Sequence, residues 1–199
     1  MRKKKIQRHR LYCLCHKKVG EIMAFDREEL LEKLAMALVR NPGSTMQELA
    51  ASAGISKASL HRIYSTKENL QATIVERMRH VFAEIRQVLR RPHEDYMRDL
   101  QELAAVHCRN STYVLFTGRD DFFAMIREEE WDSYYDDLEA FFREGQERGL
   151  LTLDLSAGAI GDVFISLVTG LLESYLWGHL SKREVEKTIL RALMGGIAR

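Results

Sequence analysis

One glycine, Gly54, separates two short segments of the sequence that each carry the start signal of an α-helix. Thr45 is followed three residues later by Glu48, the spacing of a capping box, in which each side chain bonds the other residue's backbone N–H group. Ser56 stands two residues beyond the glycine and is a preferred residue for capping the next helix. Because glycine adopts a left-handed backbone conformation without steric cost, the chain can turn sharply here. The spacing therefore predicts a helix, a tight turn and a second short helix.

The second of these helices is polar where a buried helix would be apolar. In the stretch SKASLHRIYSTKENL, residues 56–70, Leu60, Ile63 and Tyr64 form the inward face. The side chains able to donate to phosphates or bases are Ser56, Lys57, Ser59 and Arg62. Ser59 also stands where a capping box has its carboxylate, which leaves the helix N-terminus free for an anion. Since the second helix of a helix-turn-helix enters the DNA major groove, DNA is the predicted partner. An ordinary capped surface helix is the alternative.

The wider stretch STMQELAASAGISKASLHRIYSTKENL, residues 44–70, resembles the DNA-binding segment of the tetracycline-repressor (TetR) family of bacterial regulators. The positions that match the family pattern are Leu49, Ala50, Ala53 to Ser56, Ser59, Leu60, Tyr64, Lys67, Glu68 and Leu70. His61 departs from it, because the family usually has there a Tyr that touches the DNA backbone. The resemblance implies that Lys67 holds a phosphate, with a solvated surface lysine as the alternative. The predicted DNA-binding residues are Thr45, Ser56, Lys57, Ser59, Leu60, His61, Arg62 and Lys67.

Composition favours helices throughout, since the 199 residues include only two prolines and are rich in Leu, Ala, Glu, Arg and Met. The resemblance implies an all-α fold, in which a three-helix helix-turn-helix domain is joined by a long helix to a C-terminal helical ligand-binding and dimerisation domain. We assign residues 1–25 to a basic arm, 26–72 to the DNA-binding domain and 73–199 to the C-terminal domain. Later helices are expected near 94–109, 112–118, 122–148, 155–178 and 182–198.

The segment 155–178 is too apolar for a solvated surface helix. Its apolar residues at helical spacing are Ala159, Ile160, Val163, Phe164, Leu167, Val168, Leu171, Leu172 and Tyr175. The last helix offers a second stripe, made of Val185, Ile189, Leu193 and Ile197. The family's usual plan joins two copies through their last two helices, so we predict a homodimer with a four-helix interface. The buried central helix of a monomer is the alternative.

Aromatic residues concentrate between positions 113 and 177, and most of them are expected in the core. The resemblance implies a small-molecule inducer in this domain. The candidate ligand-binding residues are Tyr113, Phe116, Phe123, Trp131, Tyr135 and Tyr175. Six acids lie among these rings: Glu128, Glu129, Glu130, Asp132, Asp136 and Asp137. One explanation is that they form the solvent-exposed face of a helix. The alternative hypothesis is that one carboxylate points inward and favours an aromatic or cationic inducer.

The charges are unevenly distributed, although the formal net charge is only +1. Residues 1–25 carry eight basic and one acidic side chain, whereas residues 81–199 carry fourteen basic and twenty-one acidic ones. This polarity suits a molecule that meets a polyanion with its N-terminal end. The arm is expected to be solvated. A translation start at Met23 would make residues 1–22 an upstream extension.

Other classes of protein find no support in the sequence. The longest charge-free apolar run, 163–172, is about half of the roughly 20 residues that a membrane span requires, and the basic start lacks the apolar region of a secretory signal. We therefore expect a cytoplasmic protein with no membrane partner. Cys13, Cys15, His9 and His16 fit none of the usual zinc spacings, so no metal or cofactor is expected. The motifs of nucleotide-binding loops, hydrolase elbows and metalloproteases are missing, which argues against an enzyme.

The sequence thus predicts a homodimeric transcriptional repressor that binds a palindromic DNA operator and is released by a small-molecule inducer. One alternative keeps the DNA binding but places the protein under the control of a protein partner, and a fully packed C-terminal core would favour it. Another is a helical enzyme that uses His107. That alternative requires carboxylates to converge on His107 in a cleft.

Overall fold

The computed structural model describes residues 27–119 and 125–197 of the chain. These residues form nine α-helices and no β-sheet, which confirms the all-α prediction. The helices are α1 (27–40), α2 (Met46–Ser52), α3 (Lys57–Tyr64), α4 (Lys67–Arg90), α5 (Tyr96–Arg109), α6 (Ser111–Thr117), α7 (Glu128–Glu147), α8 (Ala157–Leu176) and α9 (Lys182–Ile197). The predicted basic arm, residues 1–25, and the candidate ligand residue Phe123 lie outside the described residues.

The chain divides into two compact units, of which the first ends at Lys67 and the second begins at Glu68. The predicted domain boundary after residue 72 also falls within α4. In the first unit, α1 buries an apolar stripe at helical spacing, made of Leu31, Leu34, Ala35, Leu38 and Val39. This stripe, with Leu49, Ala50 and Leu60, makes up much of the buried core of the unit.

The turn between α2 and α3 has the predicted geometry. Glu48 accepts a hydrogen bond from the Thr45 backbone N–H at 2.7 Å, and the Thr45 hydroxyl accepts one from the Glu48 N–H at 3.3 Å. The capping box at the start of α2 is therefore present. Gly54 has φ +72°, and the Ser56 hydroxyl accepts the Ser59 N–H at 3.0 Å. The backbone at Gly54 thus sets the direction in which α3 leaves α2.

We expect Gly54→Ala to destabilise the first unit by about 1–2 kcal/mol, because a side chain at positive φ brings Cβ against the backbone. Gly43→Ala is the matched control. A Cβ at Gly43 would meet only the Asn41 side chain at 3.5 Å, an ordinary contact. Urea unfolding of both variants measures the difference. Equal midpoints for the two would contradict a strained backbone requirement at Gly54.

In the second unit, the apolar helix α8 packs against α5, α6, α7 and α9. Its buried face consists of Ala157, Ile160, Gly161, Phe164, Val168 and Leu172. Ser156 caps this helix by accepting the Ala159 N–H at 3.2 Å. Helices α5 and α7 approach each other closely at Gly145 of α7, where an added Cβ would collide with the Tyr96 side chain of α5. Only glycine leaves room for the Tyr96 ring there.

The helix predicted from residue 122 starts later than expected. Residues 125–127 are not helical, and α7 begins at Glu128. Arg127 is the capping residue, with extended backbone angles, and Glu130 accepts its N–H at 3.2 Å. Acidic side chains in the first turn of a helix are stabilised by the helix dipole, so the run of glutamates at 128–130 marks this start. The other predicted helices of the C-terminal region end or begin within two residues of those observed.

The apolar stripe of α9 packs inside the chain, whereas the sequence predicted that it lies in the interface between two copies. Val185, Ile189 and Leu193 are buried, because α9 packs against α8 and α5. The side chain of Ile197 is outside the described set. A different stripe on α8 stays partly uncovered: Val163 is 43% exposed, and Ala159, Leu167 and Leu171 are half-buried. The predicted four-helix interface therefore cannot use Val185, Ile189 and Leu193.

Candidate DNA-binding and ligand-binding sites

The exposed side of α3 presents most of the predicted DNA-binding residues. Ser56, Lys57, His61 and Arg62 are exposed, and Ser59 is half-buried. The hydroxyls of Ser56 and Ser59 are hydrogen-bonded to each other at 2.9 Å, on the solvent side of the helix N-terminus. The first turn of α3 contains no acidic residue. This surface can therefore accept an anion at the helix N-terminus and donate hydrogen bonds from its side chains.

Leu60 does not belong to this surface, although it was among the predicted DNA-binding residues. It is fully buried, at 0% exposure, and Tyr64 one turn later is also buried. Residues four apart lie on the same side of a helix, so Leu60 and Tyr64 together form the inward face of α3. The apolar spacing in the sequence had already assigned Leu60 to that face. The structure thus excludes Leu60 from direct DNA contact in this conformation.

The side chain of His61 is hydrogen-bonded to the backbone at the end of its own helix. Its Nδ1 lies 2.8 Å from the carbonyl oxygen of Ser65, a residue with φ +59° that ends α3. A carbonyl oxygen only accepts, so the proton of neutral His61 must be on Nδ1. The Nε2 atom then carries a lone pair and cannot donate to a phosphate. Only the protonated form of His61 can donate from Nε2.

Two further candidates are engaged in hydrogen bonds at the edges of the helices. The ammonium of Lys67, the first residue of α4, donates to the Pro42 carbonyl at 2.8 Å, which uses one of its three N–H groups. Thr45 is exposed, and its hydroxyl is hydrogen-bonded to the Glu48 carboxylate at 2.9 Å. The hydrogen bonds from the Thr45 backbone and hydroxyl lower the pKa of Glu48. Lys67 therefore keeps donors for a phosphate, whereas Thr45 lies beside a negative charge.

A pocket of about 200 Å³ lies within the second unit, bordered by α4, α5, α6, α7 and α8. Its lining residues are Met78, Val81, Phe82, Ile85, His107, Tyr113, Val114, Thr117, Gly118, Trp131, Tyr134, Tyr135 and Ile165. Three of the candidate ligand residues, Tyr113, Trp131 and Tyr135, are among them. Phe116 is instead fully buried in the core, and Tyr175 is half-buried but away from the pocket. Aromatic spacing alone did not separate lining residues from core residues.

A hydrogen-bonded pair in the pocket wall was not predicted. His107 Nδ1 donates to the Leu103 carbonyl at 2.7 Å, so Nε2 accepts the Tyr134 hydroxyl proton at 2.9 Å. Burial lowers the pKa of His107 to about 4, although the hydrogen bond to Leu103 raises it in part. His107 is therefore a neutral acceptor at physiological pH. In the sequence, the position of His107 four residues after Leu103 on a predicted helix is a signal for the hydrogen bond to the Leu103 carbonyl. It gives no signal for Tyr134.

The hypothesis of an inward carboxylate beside the rings is wrong for the six acids of α7. None of them lines the pocket. Glu130 pairs with Arg79 at 3.2 Å, and Asp137 pairs with Arg86 at 2.7 Å and with Arg90 at 2.8 Å. The other four acids are exposed. Their charges are stabilised by water or by arginines of α4, which costs less than burial among aromatic rings.

Comparison with known proteins identifies a relative that aligns with most of the chain. No protein-family model matches it. The HTH-type transcriptional regulator NfxB of Pseudomonas aeruginosa is 32% identical over 173 residues, which cover 85% of this chain and 92% of the relative. The chain belongs to the TetR family of helix-turn-helix transcriptional regulators. Family members regulate transcription and are not enzymes.

Solved structures share the fold of this TetR-family regulator. PfmR from Thermus thermophilus, a TetR-family transcriptional regulator, matches with a TM-score of 0.53 and 18% identity, over 83% of this chain and 95% of that one. AibR in complex with isovaleryl coenzyme A and operator DNA matches with a TM-score of 0.59 and 19% identity, over 84% of this chain and 97% of that one. Because both identities are below 20%, the two structures are evidence for the fold of the chain alone.

The buried histidine of this TetR-family regulator should make its stability fall in mild acid. The unfolded chain takes up a proton at about pH 6.5, whereas folded His107 stays neutral to about pH 4, so protonation favours unfolding between these values. We expect wild type to lose about 2 kcal/mol more unfolding free energy than His107→Gln between pH 7 and pH 5. Urea unfolding at both pH values measures the loss.

His107→Gln is the reference between pH 7 and pH 5, because a glutamine side chain binds no proton in this range. The range lies above that in which most carboxylates titrate, so the difference between variants reports on histidine alone. If wild type and His107→Gln lost equal stability, His107 would not be buried as a neutral group.

Proposed function

We propose that the protein is a homodimeric repressor that binds a palindromic DNA operator through α3 and releases it when a small molecule occupies the pocket of the second unit. The observation that carries this proposal is the presence, in one chain, of an exposed α3 with donors at its N-terminus and of an apolar pocket of about 200 Å³. AibR, a solved neighbour, was crystallised with both isovaleryl coenzyme A and operator DNA. Such a regulator acts in the cytoplasm, where DNA is found.

The DNA-binding part of the proposal follows from the side chains of α3. Lys57, Ser59 and Arg62 supply donors for base edges and phosphates, and Ser56 lies at the helix N-terminus. Lys67 contributes a phosphate contact with the donors that Pro42 leaves unused. Helix α4 carries Lys67 at its first residue and four pocket-lining residues further along, so ligand occupancy has a continuous helix through which to act.

Control by a small molecule is favoured over control by a protein partner because the second unit is not fully packed. A well-packed interior leaves few voids larger than a water molecule. The pocket is larger than such voids and is lined mainly by apolar and aromatic side chains, as ligand sites are. To test the function, we would select operator sequences in vitro with the purified protein and then measure release by candidate ligands. Failure to select any DNA sequence would contradict the proposal.

The dimer part of the proposal rests on the partly uncovered stripe of α8. This helix is long and apolar enough to span a membrane by length and composition, a test that core helices of folded domains also meet. Only 28% of its most apolar 18-residue window is buried within the chain. An apolar face of this kind requires a cover, and a symmetric copy supplies one when the stripe of each protomer meets that of its partner.

Val163→Lys should separate the protomers, because it places a charge in the middle of the partly uncovered stripe. Val163 is already 43% exposed, so the variant chain should still fold. Glu173→Lys, on the exposed polar side of the same helix, is the matched control. We expect sedimentation to show dimers for wild type and Glu173→Lys and monomers for Val163→Lys. A monomeric wild type bound to a full operator would contradict the dimer. Leu193 is unsuitable for this test because it is 1% exposed.

DNA affinity should fall as pH rises from about 6 to about 8, because a neighbouring phosphate favours the protonated form of a histidine. Protonated His61 can donate from Nε2 to a phosphate, whereas the neutral form, with its proton toward Ser65, presents a lone pair there. The binding free energy from this contact is largest in mild acid and disappears as His61 deprotonates in the complex. A DNA titration at fixed salt measures it.

The variants that test His61 differ in whether they can donate while neutral. His61→Tyr should keep operator binding and lose part of the pH dependence, since a tyrosine hydroxyl donates without a charge. His61→Ala should lose both. His80→Gln is the control, because His80 is an exposed histidine of α4 outside the proposed DNA surface. Parallel pH curves for wild type and His61→Tyr would show that His61 binds no proton on contact with DNA.

A further inference from the structure

The walls of the pocket combine aromatic and aliphatic side chains. Phe82 of α4 meets Trp131 edge to face at 5.1 Å between ring centroids and Tyr134 at 5.4 Å. Aliphatic side chains complete the lining, namely Met78, Val81, Ile85, Val114 and Ile165. Edge-to-face geometry is the arrangement that aromatic rings prefer, so an aromatic guest finds favourable partners in this wall.

No described residue that lines the pocket carries a charge at neutral pH. Arg77 of α4 lies 5.3 Å from the centroid of the Tyr113 ring and pairs with Glu84, and Asp162 of α8, which acts on Tyr135, is exposed to water. Five further charged residues of α4 and α7 pair with each other: Arg79 with Glu130, and both Arg86 and Arg90 with Asp137. None of these five residues lines the pocket. A charged guest would therefore leave water without gaining a counter-ion, which is strongly unfavourable in an apolar site.

Two of the polar groups that line the pocket are oriented by hydrogen bonds within the protein. The Tyr134 hydroxyl proton points to His107 Nε2, at 2.9 Å, and the Thr117 hydroxyl proton points to the Val114 carbonyl, at 2.7 Å. Burial keeps His107 neutral by lowering its pKa to about 4. Because the Tyr134 hydroxyl donates its proton to His107, its oxygen can still accept a hydrogen bond from a bound molecule.

We propose that the pocket takes an uncharged, largely aromatic compound that donates one hydrogen bond, from a hydroxyl or N–H group, to the Tyr134 oxygen. The proposal rests on the ligand response proposed above and names its ligand class. The proposal replaces the hypothesis of a cationic inducer, because none of the described residues that line the pocket is a carboxylate. The His107 ring holds the Tyr134 hydroxyl in place and is a positioning residue.

Four probes with the same two fused rings separate charge from hydrogen bonding: 2-naphthol, naphthalene, 2-naphthoate and 2-naphthylmethylammonium. Trp131 lines the pocket, and Trp177 is 68% exposed, so the full chain with Trp177→Phe reports binding through Trp131 fluorescence alone. We expect 2-naphthol to bind most tightly, naphthalene less tightly, and both ions at least tenfold more weakly than 2-naphthol.

The contribution of the hydrogen bond is tested with two tyrosines of the same pocket. Tyr134→Phe should weaken 2-naphthol binding about three- to tenfold, the effect of one neutral hydrogen bond, and leave naphthalene unchanged. Tyr135→Phe is the matched control, because Tyr135 lines the pocket but is 44% exposed. Wild-type affinity for 2-naphthol should stay constant from pH 6 to pH 8, since His107 remains neutral there.

The outcomes separate this proposal from the function on which it rests. Tighter binding of either ion, equal loss of 2-naphthol and naphthalene affinity in Tyr134→Phe, or no binding of any probe would overturn the ligand class. Operator release is measured in parallel on the selected DNA. If the naphthoate or the ammonium probe binds and releases DNA, the ligand-responsive function stands and the ligand class is wrong. If 2-naphthol binds as expected but DNA stays bound, the ligand class stands and the proposed release mechanism is wrong.

Discussion

A helix as apolar as α8 cannot face water on every side, and the second unit is arranged around that constraint. Helices α5, α6, α7 and α9 cover one face, burying Phe164 and its neighbours. The stripe that contains Val163 stays partly exposed within the chain. The hydrophobic effect acts on both faces, so the homodimer that we propose would bury the stripe that the core of the chain leaves partly exposed.

The pocket shows how burial sets chemistry in this protein. His107 is completely enclosed, so its neutral form is favoured and it serves as an acceptor for Tyr134. The acids of α7 avoid the same apolar environment by pairing with arginines of α4 or by remaining in water. The cost of burying an unpaired charge thus explains both the composition of the pocket wall and the uncharged ligand that we propose for it.

Local signals in the sequence predicted much of the first unit. The Thr45–Glu48 capping box, the turn at Gly54 and the Ser56 cap each depend on residues at most three positions apart, and each is present. The same signals placed the polar face of α3 correctly. Leu60 was wrongly counted as a DNA contact, because a sequence match records that a residue belongs to a motif and not which way its side chain points.

The sequence by itself determined the helical class, the helix-turn-helix and the family, because helix starts, turns and apolar spacing depend on near neighbours along the chain. Only the tertiary structure decided which apolar stripe each helix turns inward. It directed Val185, Ile189 and Leu193 into the chain and placed Phe116 in the core. It also brought His107 to Tyr134, twenty-seven positions away. These outcomes depend on the rotation of each helix about its axis, which is set by packing against helices distant in sequence.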